Sequence, residues 1–347
     1  RPCHLNYLYK KGFINRIMQT IPYNNLVEVS AKSFKKRKLA NCNWILNRYC
    51  NYSCSYCWPH AHQQEKDFLN ADSYLLAVNE IINQFEINGF NEINWGWVGG
   101  EVTFNPSFLL ILNEIQSYKN KKMMTNLVTN LSHNEKWWEK FINSTKKFLN
   151  VKVNASWHEE YLLTFEKREI FRNKLILLKN NNIKVEVNAV LLPGFLNQMQ
   201  KLQQWFLEKD IEMTIKMCKA ENKMIEGYSV KEINFLSRQT KHKNFVLLKD
   251  ENNNEYELAN FEQLMAKNLR SYNGWMCSAG YQSITILENG NVTRGQTCKN
   301  EILGNIKEGF SLYNNNKKCI TAKNCSCSAD LKMPKWRDDG NSMFKVG

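Results

Sequence analysis

Cys50, Cys54 and Cys57 stand with three and then two residues between them, in the run Cys-Asn-Tyr-Ser-Cys-Ser-Tyr-Cys. Thiolates this near in sequence close around one inorganic centre, because soft sulfur is the donor that iron and zinc favour. A structural zinc or a fully ligated cubane takes four protein ligands. The nearest further candidates, His60 and His62, do not stand in register with the three cysteines. A cubane held by three thiolates keeps one iron open for a substrate. Five more cysteines, Cys277, Cys298, Cys319, Cys325 and Cys327, fall late in the chain. Four of them would complete a second site, for a cubane or for zinc, and nothing in their spacing says which one is spare. Gly99 and Gly100 lack a Cβ, so a ligand can lie against the backbone there, and Glu101 offers a carboxylate to a cation. Cys218 is a lone thiol, either a hydrogen-atom donor or a small buried hydrophobe, and Cys42 reads as core.

Several elements must hold these residues. Residues 42–47 read as a buried strand with the cysteine loop at its carboxyl end. A helix follows, capped by Asp72 and running to about Phe85, with Leu75, Leu76, Val78, Ile81 and Ile82 at helical spacing. Strands are expected over Ile93–Val98, Met123–Thr129, Val151–Ser156, Ile183–Leu192 and Ile211–Met217. Helices are expected over 106–118, opened by Pro106, and over 133–148, 159–180 and 196–208. Six strands alternating with helices predict a parallel sheet with right-handed crossovers, either open or closed into a partial barrel. In such sheets ligands gather at the carboxyl ends of the strands. Past Cys218 the pattern changes. Residues 229–270 hold a helix, a polar hairpin near Asp250–Asn254 and a second helix. Ser283–Leu287 and Val292–Arg294 then flank a turn in which Gly290 supplies positive φ. The expected organisation is an extension over 1–41, a core over 42–228, a helical connector over 229–270 and a cysteine-rich domain over 271–347.

The 347 residues carry a formal charge of +14 and eleven cysteines. The charge suits a nucleic-acid partner, but lysine is interleaved with asparagine and isoleucine throughout, and the one dense run, Lys35-Lys36-Arg37-Lys38, reads as a solvated flank. Nucleic acid is therefore not the favoured partner. No leader with an apolar core opens the chain, so the cysteines point to metal-bound thiolates in a reducing cytoplasm. Met18 would serve as an initiator, leaving residues 1–17, Cys3 among them, outside the fold. Apolar runs such as Phe108–Leu112 are too short to span a membrane. Trp95, Trp97 and Trp157 read as core, with a substrate cavity as the other role.

The cysteine loop, with Tyr56 before its last cysteine, and the following Trp-Val-Gly-Gly-Glu-Val-Thr-Phe-Asn-Pro together resemble the radical S-adenosylmethionine (SAM) superfamily. The order cysteine, glycine-bearing hairpin, cysteine, then Cys319 to Asp330 resembles that superfamily's SPASM or shorter twitch extension, with fewer cysteines than the full SPASM pattern. The resemblance covers about residues 42–335. It implies a partial (β/α)6 barrel and a small cysteine-rich C-terminal domain. It implies that Cys50, Cys54 and Cys57 hold a [4Fe-4S] cluster whose open iron chelates SAM, with Gly99, Gly100 and Glu101 meeting the methionine ammonium. Val128 to Ser132 is similar to a Thr-Asn-Gly-type segment, with Asn130 as a contact and Leu131 where glycine is usual. Ser156 and His158 resemble residues that reach the ribose or carboxylate, and Asn188 is placed toward the adenine; helix capping is the bland role for Asn130 and Ser156. An electron donor such as flavodoxin or ferredoxin would drive SAM cleavage to a 5'-deoxyadenosyl radical, which takes hydrogen from a peptide or protein substrate, or from a small molecule. Cys218 would return a hydrogen atom, as in the family's peptide epimerases. The late cysteines would hold a second [4Fe-4S] cluster. RNA modification and a non-catalytic metal-binding module are the other readings.

Overall fold

Alternation along the chain builds two large sheets and a two-stranded one in a computed structural model that describes residues 25–35, 38–57, 65–220, 223–238, 246–258, 264, 269–321, 324–325 and 327–337. Expectations for Cys3, Met18, His60, His62 and the second helix of the connector lie outside those residues. β1 (Leu26–Ala31) and the one-turn α1 (Lys32–Lys35) precede β2 (Leu39–Ile45). Then come α2 (Ala71–Ile87), β3 (Glu92–Val98), α3 (Phe108–Ser117), β4 (Lys122–Thr129), α4 (Glu135–Thr145) and β5 (Asn150–Trp157). α5 (Phe165–Asn180), β6 (Lys184–Leu191), α6 (Leu196–Glu208) and β7 (Glu212–Met217) complete the alternation. β2 to β7 pair in parallel in chain order, forming the partial barrel of an α/β fold.

The two faces of this sheet differ in chemistry, as strand alternation requires. Trp44, Trp95 and Trp97 stack on the helix side, with Trp97 5.4 Å from Phe108, and Trp157 packs against Phe171 and Phe206. The tryptophans are core. The alternate residues are polar: Asn94 donates to Asn41, Asn154 to Asn126, and Lys152 pairs with Glu186 at 2.7 Å.

Helix starts differ from expectation where a better cap competes. Asn70, not Asp72, caps α2 by accepting the Ser73 N–H at 2.8 Å, and α4 begins after Asn134. Thr164 caps α5, so residues 158–164 are free to form a turn where the sequence suggests helix from Glu159.

The second half is tied into the first through both large sheets. After the short strands β8 (Lys219–Ala220) and β9 (Lys223–Met224) and α7 (Val230–Arg238) comes the hairpin β10 (Val246–Asp250) and β11 (Glu255–Leu258). β12 (Met276–Cys277), β13 (Ser283–Ile286), β14 (Asn291–Thr293), β15 (Ile302–Asn305), β16 (Gly309–Phe310), β17 (Lys317–Lys318) and β18 (Lys335–Trp336) complete the strands. β13 and β14 form the expected hairpin, Gly290 having φ +86°. β13 also pairs in parallel with β2, so the hairpin extends the barrel sheet. β1 lies between β10 and β18 in the other sheet, order β11-β10-β1-β18-β12-β17. Residues 26–31 of the expected extension are thus an inner strand beside the late cysteines.

Candidate functional site

The cysteine loop leaves β2 at the carboxyl edge of the barrel and is tied down from three sides. Within it, the Cys57 N–H donates to the Cys54 carbonyl at 3.0 Å, and Cys50 Sγ accepts the Tyr52 N–H at 3.4 Å. From β4, the Asn130 amide donates to Asn51 Oδ1 at 2.8 Å, with its nitrogen 4.0 Å from Cys50 Sγ. From the turn after β5, Tyr161 Oη accepts the Ser53 N–H and its ring stacks on Tyr52 at 3.9 Å, while Glu160 accepts the Ser55 N–H at 2.9 Å. His158 Nδ1 lies 3.2 Å from Cys54 Sγ and 2.9 Å from Tyr56 Oη. The expected SAM contact, His158, is thus packed on the loop itself. Burial pulls its pKa down to about 4, so the ring is neutral near pH 7. Asn51, Glu160 and Tyr161 carry little sequence signal beyond the polar run His158-Glu159-Glu160-Tyr161 that follows a strand.

Glu101 also departs from expectation. Its carboxylate is 1% exposed and accepts the Thr103 N–H at 3.3 Å, the Thr103 hydroxyl at 2.6 Å, the Thr129 hydroxyl at 2.8 Å and the Asn130 N–H at 2.5 Å. Four donors fill the acceptor capacity of a carboxylate. The side chain therefore clamps the end of β3 to the end of β4 and fixes Asn130, instead of standing open to a cation. The glycines serve the same packing. A Cβ on Gly99 would lie 2.2 Å from the Asn47 carbonyl oxygen, and one on Gly100 2.2 Å from that of Tyr49. The space they leave is filled by the chain entering the cysteine loop. Gly100 N–H donates to Asn47 O at 2.9 Å and Glu101 N–H to Tyr49 O at 2.7 Å. Leu131, where glycine was expected, has φ +59° and is buried, with its carbonyl held by Lys174 Nζ at 3.0 Å.

Ser156 and Asn188 are cross-strand neighbours on the polar face of the barrel, and Asn188 Oδ1 is a buried acceptor with no partner. Such an orphan fits a ligand donor. Cys218 follows β7 at the carboxyl end of the strands and is buried, its N–H donating to Tyr228 Oη at 2.9 Å. Burial raises the Cys50 pKa to about 11 and that of Cys54 to about 12, and the three thiols of the loop also oppose one another's ionisation. Such thiols become thiolates when a metal displaces their protons.

Four late thiols, Cys277, Cys298, Cys319 and Cys325, line one cavity together with Arg270, Arg294, Asp330 and Lys335. Cys327, expected among the ligands, is not part of that lining; its N–H donates to Thr297 Oγ1 at 3.4 Å, and burial, then Asp330, raises its pKa. Among the described residues no three His, Cys, Asp or Glu side chains meet at a point to hold a single ion. The ligands of a cubane bind different irons and so surround a space, as these four do. Arg48, next to the cysteine loop, pairs with Glu288 in the β13–β14 turn at 2.8 Å, joining the two halves.

A parallel α/β barrel with three thiols in one loop at its carboxyl mouth fits a protein that holds a thiolate-ligated inorganic centre at the end of its strands. Residues 44–206 match the model of the Radical SAM superfamily, so this part of the chain is a radical SAM domain. Members of that superfamily are enzymes that use a [4Fe-4S] cluster and SAM. The GTP 3',8-cyclase of Mannheimia succiniciproducens is 25% identical over 203 residues, 56% of this chain and 58% of that protein. The chain thus spans less than two thirds of that relative. Solved structures of similar fold include histidine-tagged anSMEcpe with bound AdoMet (19% identity, TM-score 0.52, 78% of this chain and 79% of that one). Native anSMEcpe with bound AdoMet and Kp18Cys peptide is another, at 18% identity and TM-score 0.53, covering 78% of each chain. No described helix is long and apolar enough to cross a membrane.

Proposed function

We propose that this enzyme takes a hydrogen atom from a peptide or protein substrate held between the barrel mouth and a second iron–sulfur centre. The observation that carries it is the cavity lined by Cys277, Cys298, Cys319 and Cys325, in a region whose hairpin continues the barrel sheet. The peptide substrate is favoured by the likeness in fold to anSMEcpe, solved with a peptide.

Cys50, Cys54 and Cys57 would hold the SAM-binding cluster, and Cys277, Cys298, Cys319 and Cys325 the second one. When bound, the first cluster and SAM supply a strongly oxidising carbon radical, which is the cofactors' chemistry. The chain's own part is positioning. Glu101 holds Asn130, Asn130 and the 158–161 turn hold the cysteine loop, and the unpartnered Asn188 Oδ1 offers an acceptor to the adenine amino group. Cys218 stands at the mouth as the hydrogen donor. A nucleotide-like small molecule is the second substrate reading, favoured by the likeness to a GTP 3',8-cyclase.

Anaerobic reconstitution followed by iron counting and a 5'-deoxyadenosine assay with SAM and dithionite tests the proposal. Two cubanes require about eight irons per chain. Cys325→Ala should lose half of them and Cys327→Ala none. Pooled synthetic peptides should stimulate 5'-deoxyadenosine release and GTP should not; the reverse would establish the small-molecule reading. Four irons, unaffected by Cys325→Ala, would overturn the second centre.

A further inference from the structure

The cavity lined by the four late thiols is unusually cationic. Its other charged lining groups are Arg270, Arg294 and Lys335 against one carboxylate, Asp330. Arg294 is 1% exposed and Lys335 2%. A buried cation is costly unless an anion faces it. Arg294 has one, Glu301 at 2.9 Å. The rest of its guanidinium is bound to backbone: Nε to Ala279 O at 3.0 Å, Nη1 to Lys318 O at 2.8 Å and Nη2 to Lys317 O at 2.7 Å. Ala279, Glu301 and Lys318 each lie within three residues of a cavity cysteine, namely Cys277, Cys298 and Cys319. One planar fork thus ties together the segments that carry three of the four thiols.

Lys335 is different. Its ammonium donates to the carbonyl oxygens of Asp330 and Met333 and lies 5.2 Å from the centre of the Tyr272 ring. Among the described residues it forms no salt bridge, since the Asp330 carboxylate is occupied by the N–H groups of Gln296 and Thr297 at 3.2 and 2.6 Å. Its charge is felt at Cys319 and Cys325. The ammonium's hydrogen bonds go only to neutral acceptors, and the Asp330 carboxylate, which feels its charge, still leaves the lining with more cations than carboxylates, an excess that a tetrathiolate centre would balance.

We propose that Lys335 is the charge-balancing residue of the auxiliary site, raising the reduction potential of its centre, while Arg294 positions the thiols. The proposal rests on the second-centre reading above. A cation near a cluster favours the state with one more electron, because net charge is among the factors that set cluster potential.

The test is a redox titration followed by electron paramagnetic resonance on the reconstituted full chain, comparing wild type with Lys335→Met, Lys335→Gln and Lys335→Arg. The neutral variants should keep the irons and shift the auxiliary couple to lower potential. The expected shift is about tenfold in the reduced-to-oxidised ratio, or about 59 mV for one electron. Lys335→Arg should restore it, and the SAM-binding cluster should not move. If the neutral variants instead lose the auxiliary irons while Lys335→Arg retains them, the charge requirement is met at loading. Full iron with an unmoved potential in both neutral variants would overturn the proposal, as would iron loss in Lys335→Arg as well. A wild-type count of about four irons fails the second-centre reading itself, before any variant is compared.

Discussion

Replacing Glu101 by Gln separates an internal clamp from a direct ligand of SAM. In the structure the carboxylate oxygen Oε2 takes the Asn130 N–H at 2.5 Å and Oε1 takes Thr103 and Thr129. A Gln amide keeps one acceptor oxygen. If that oxygen stays with the two threonines, the –NH2 faces the Asn130 N–H and a buried donor loses its partner, which costs about 1–3 kcal/mol. Weakening the charge-assisted bonds adds to this, and relief from burying a carboxylate offsets part of it. The net is about 2 kcal/mol, or a fall in Tm of roughly 3 °C for a chain of this length. Thr103→Val, which removes one hydroxyl donor of the same group, should cost about 1 kcal/mol and combine with Glu101→Gln non-additively, by roughly 0.5–1 kcal/mol. SAM affinity and iron retention should fall together with Tm in both single variants, since Asn130 then holds Asn51 less well. Thermal melts, iron assays and anaerobic SAM titrations read these quantities. A Glu101→Gln protein with unchanged Tm and iron but no SAM binding, additive with Thr103→Val, would refute the clamp and restore a direct carboxylate–ammonium contact.

Other outcomes follow from the same geometry. At Leu131, buried with φ +59°, glycine should be better tolerated than alanine by about 1 kcal/mol, the reverse of the usual order, because alanine loses the packing yet keeps the left-handed strain; equal Tm values for Leu131→Gly and Leu131→Ala would contradict this. Gly100→Ala places a Cβ 2.2 Å from the Tyr49 carbonyl oxygen, so the loop must move, and iron bound by Cys50, Cys54 and Cys57 should be lost while the Cys277 set stays loaded, as iron counts would show. His133 stacks between Phe104 and Trp137, and burial pulls its pKa below 6.5. The unfolded chain then takes up a proton first as pH falls, so stability should decline below about pH 6.5. His158, at about 4, adds to the same slope, and His133→Phe should flatten part of it in melts between pH 7 and 5.5.

The sequence made the barrel legible because hydrophobic alternation and helix periodicity are local signals. Trp95 and Trp97, two apart on β3, announced a buried face, and the six strands fall within a few residues of expectation. The cysteine loop was equally plain, since ligand spacing is also local. What escaped was every feature that depends on partners distant in sequence. β1 reads as a flank until Val246–Asp250 and Lys335–Trp336 pair on either side of it. Glu101 reads as an open carboxylate until Thr129 and Asn130 arrive from the next strand.

The late cysteines show the same limit most clearly. Five thiols in a stretch of little regular structure cannot be sorted by spacing, since Cys325 and Cys327 differ by two positions and lie in no regular element whose period would orient them. The cavity sorts them. Cys325 joins its lining, with its N–H donated to the Arg270 carbonyl at 2.8 Å, while Cys327 stays outside that lining and its backbone N–H donates to Thr297 Oγ1. The parallel pairing of β13 with β2 and the Arg48–Glu288 bridge then fix that cavity to the barrel. The cavity is thus bounded by both sheets, Cys277 lying on β12 of one and Cys298 following β14 of the barrel sheet, and on the reading proposed above Glu288→Gln should weaken stimulation of 5'-deoxyadenosine release by substrate while leaving SAM cleavage without substrate intact.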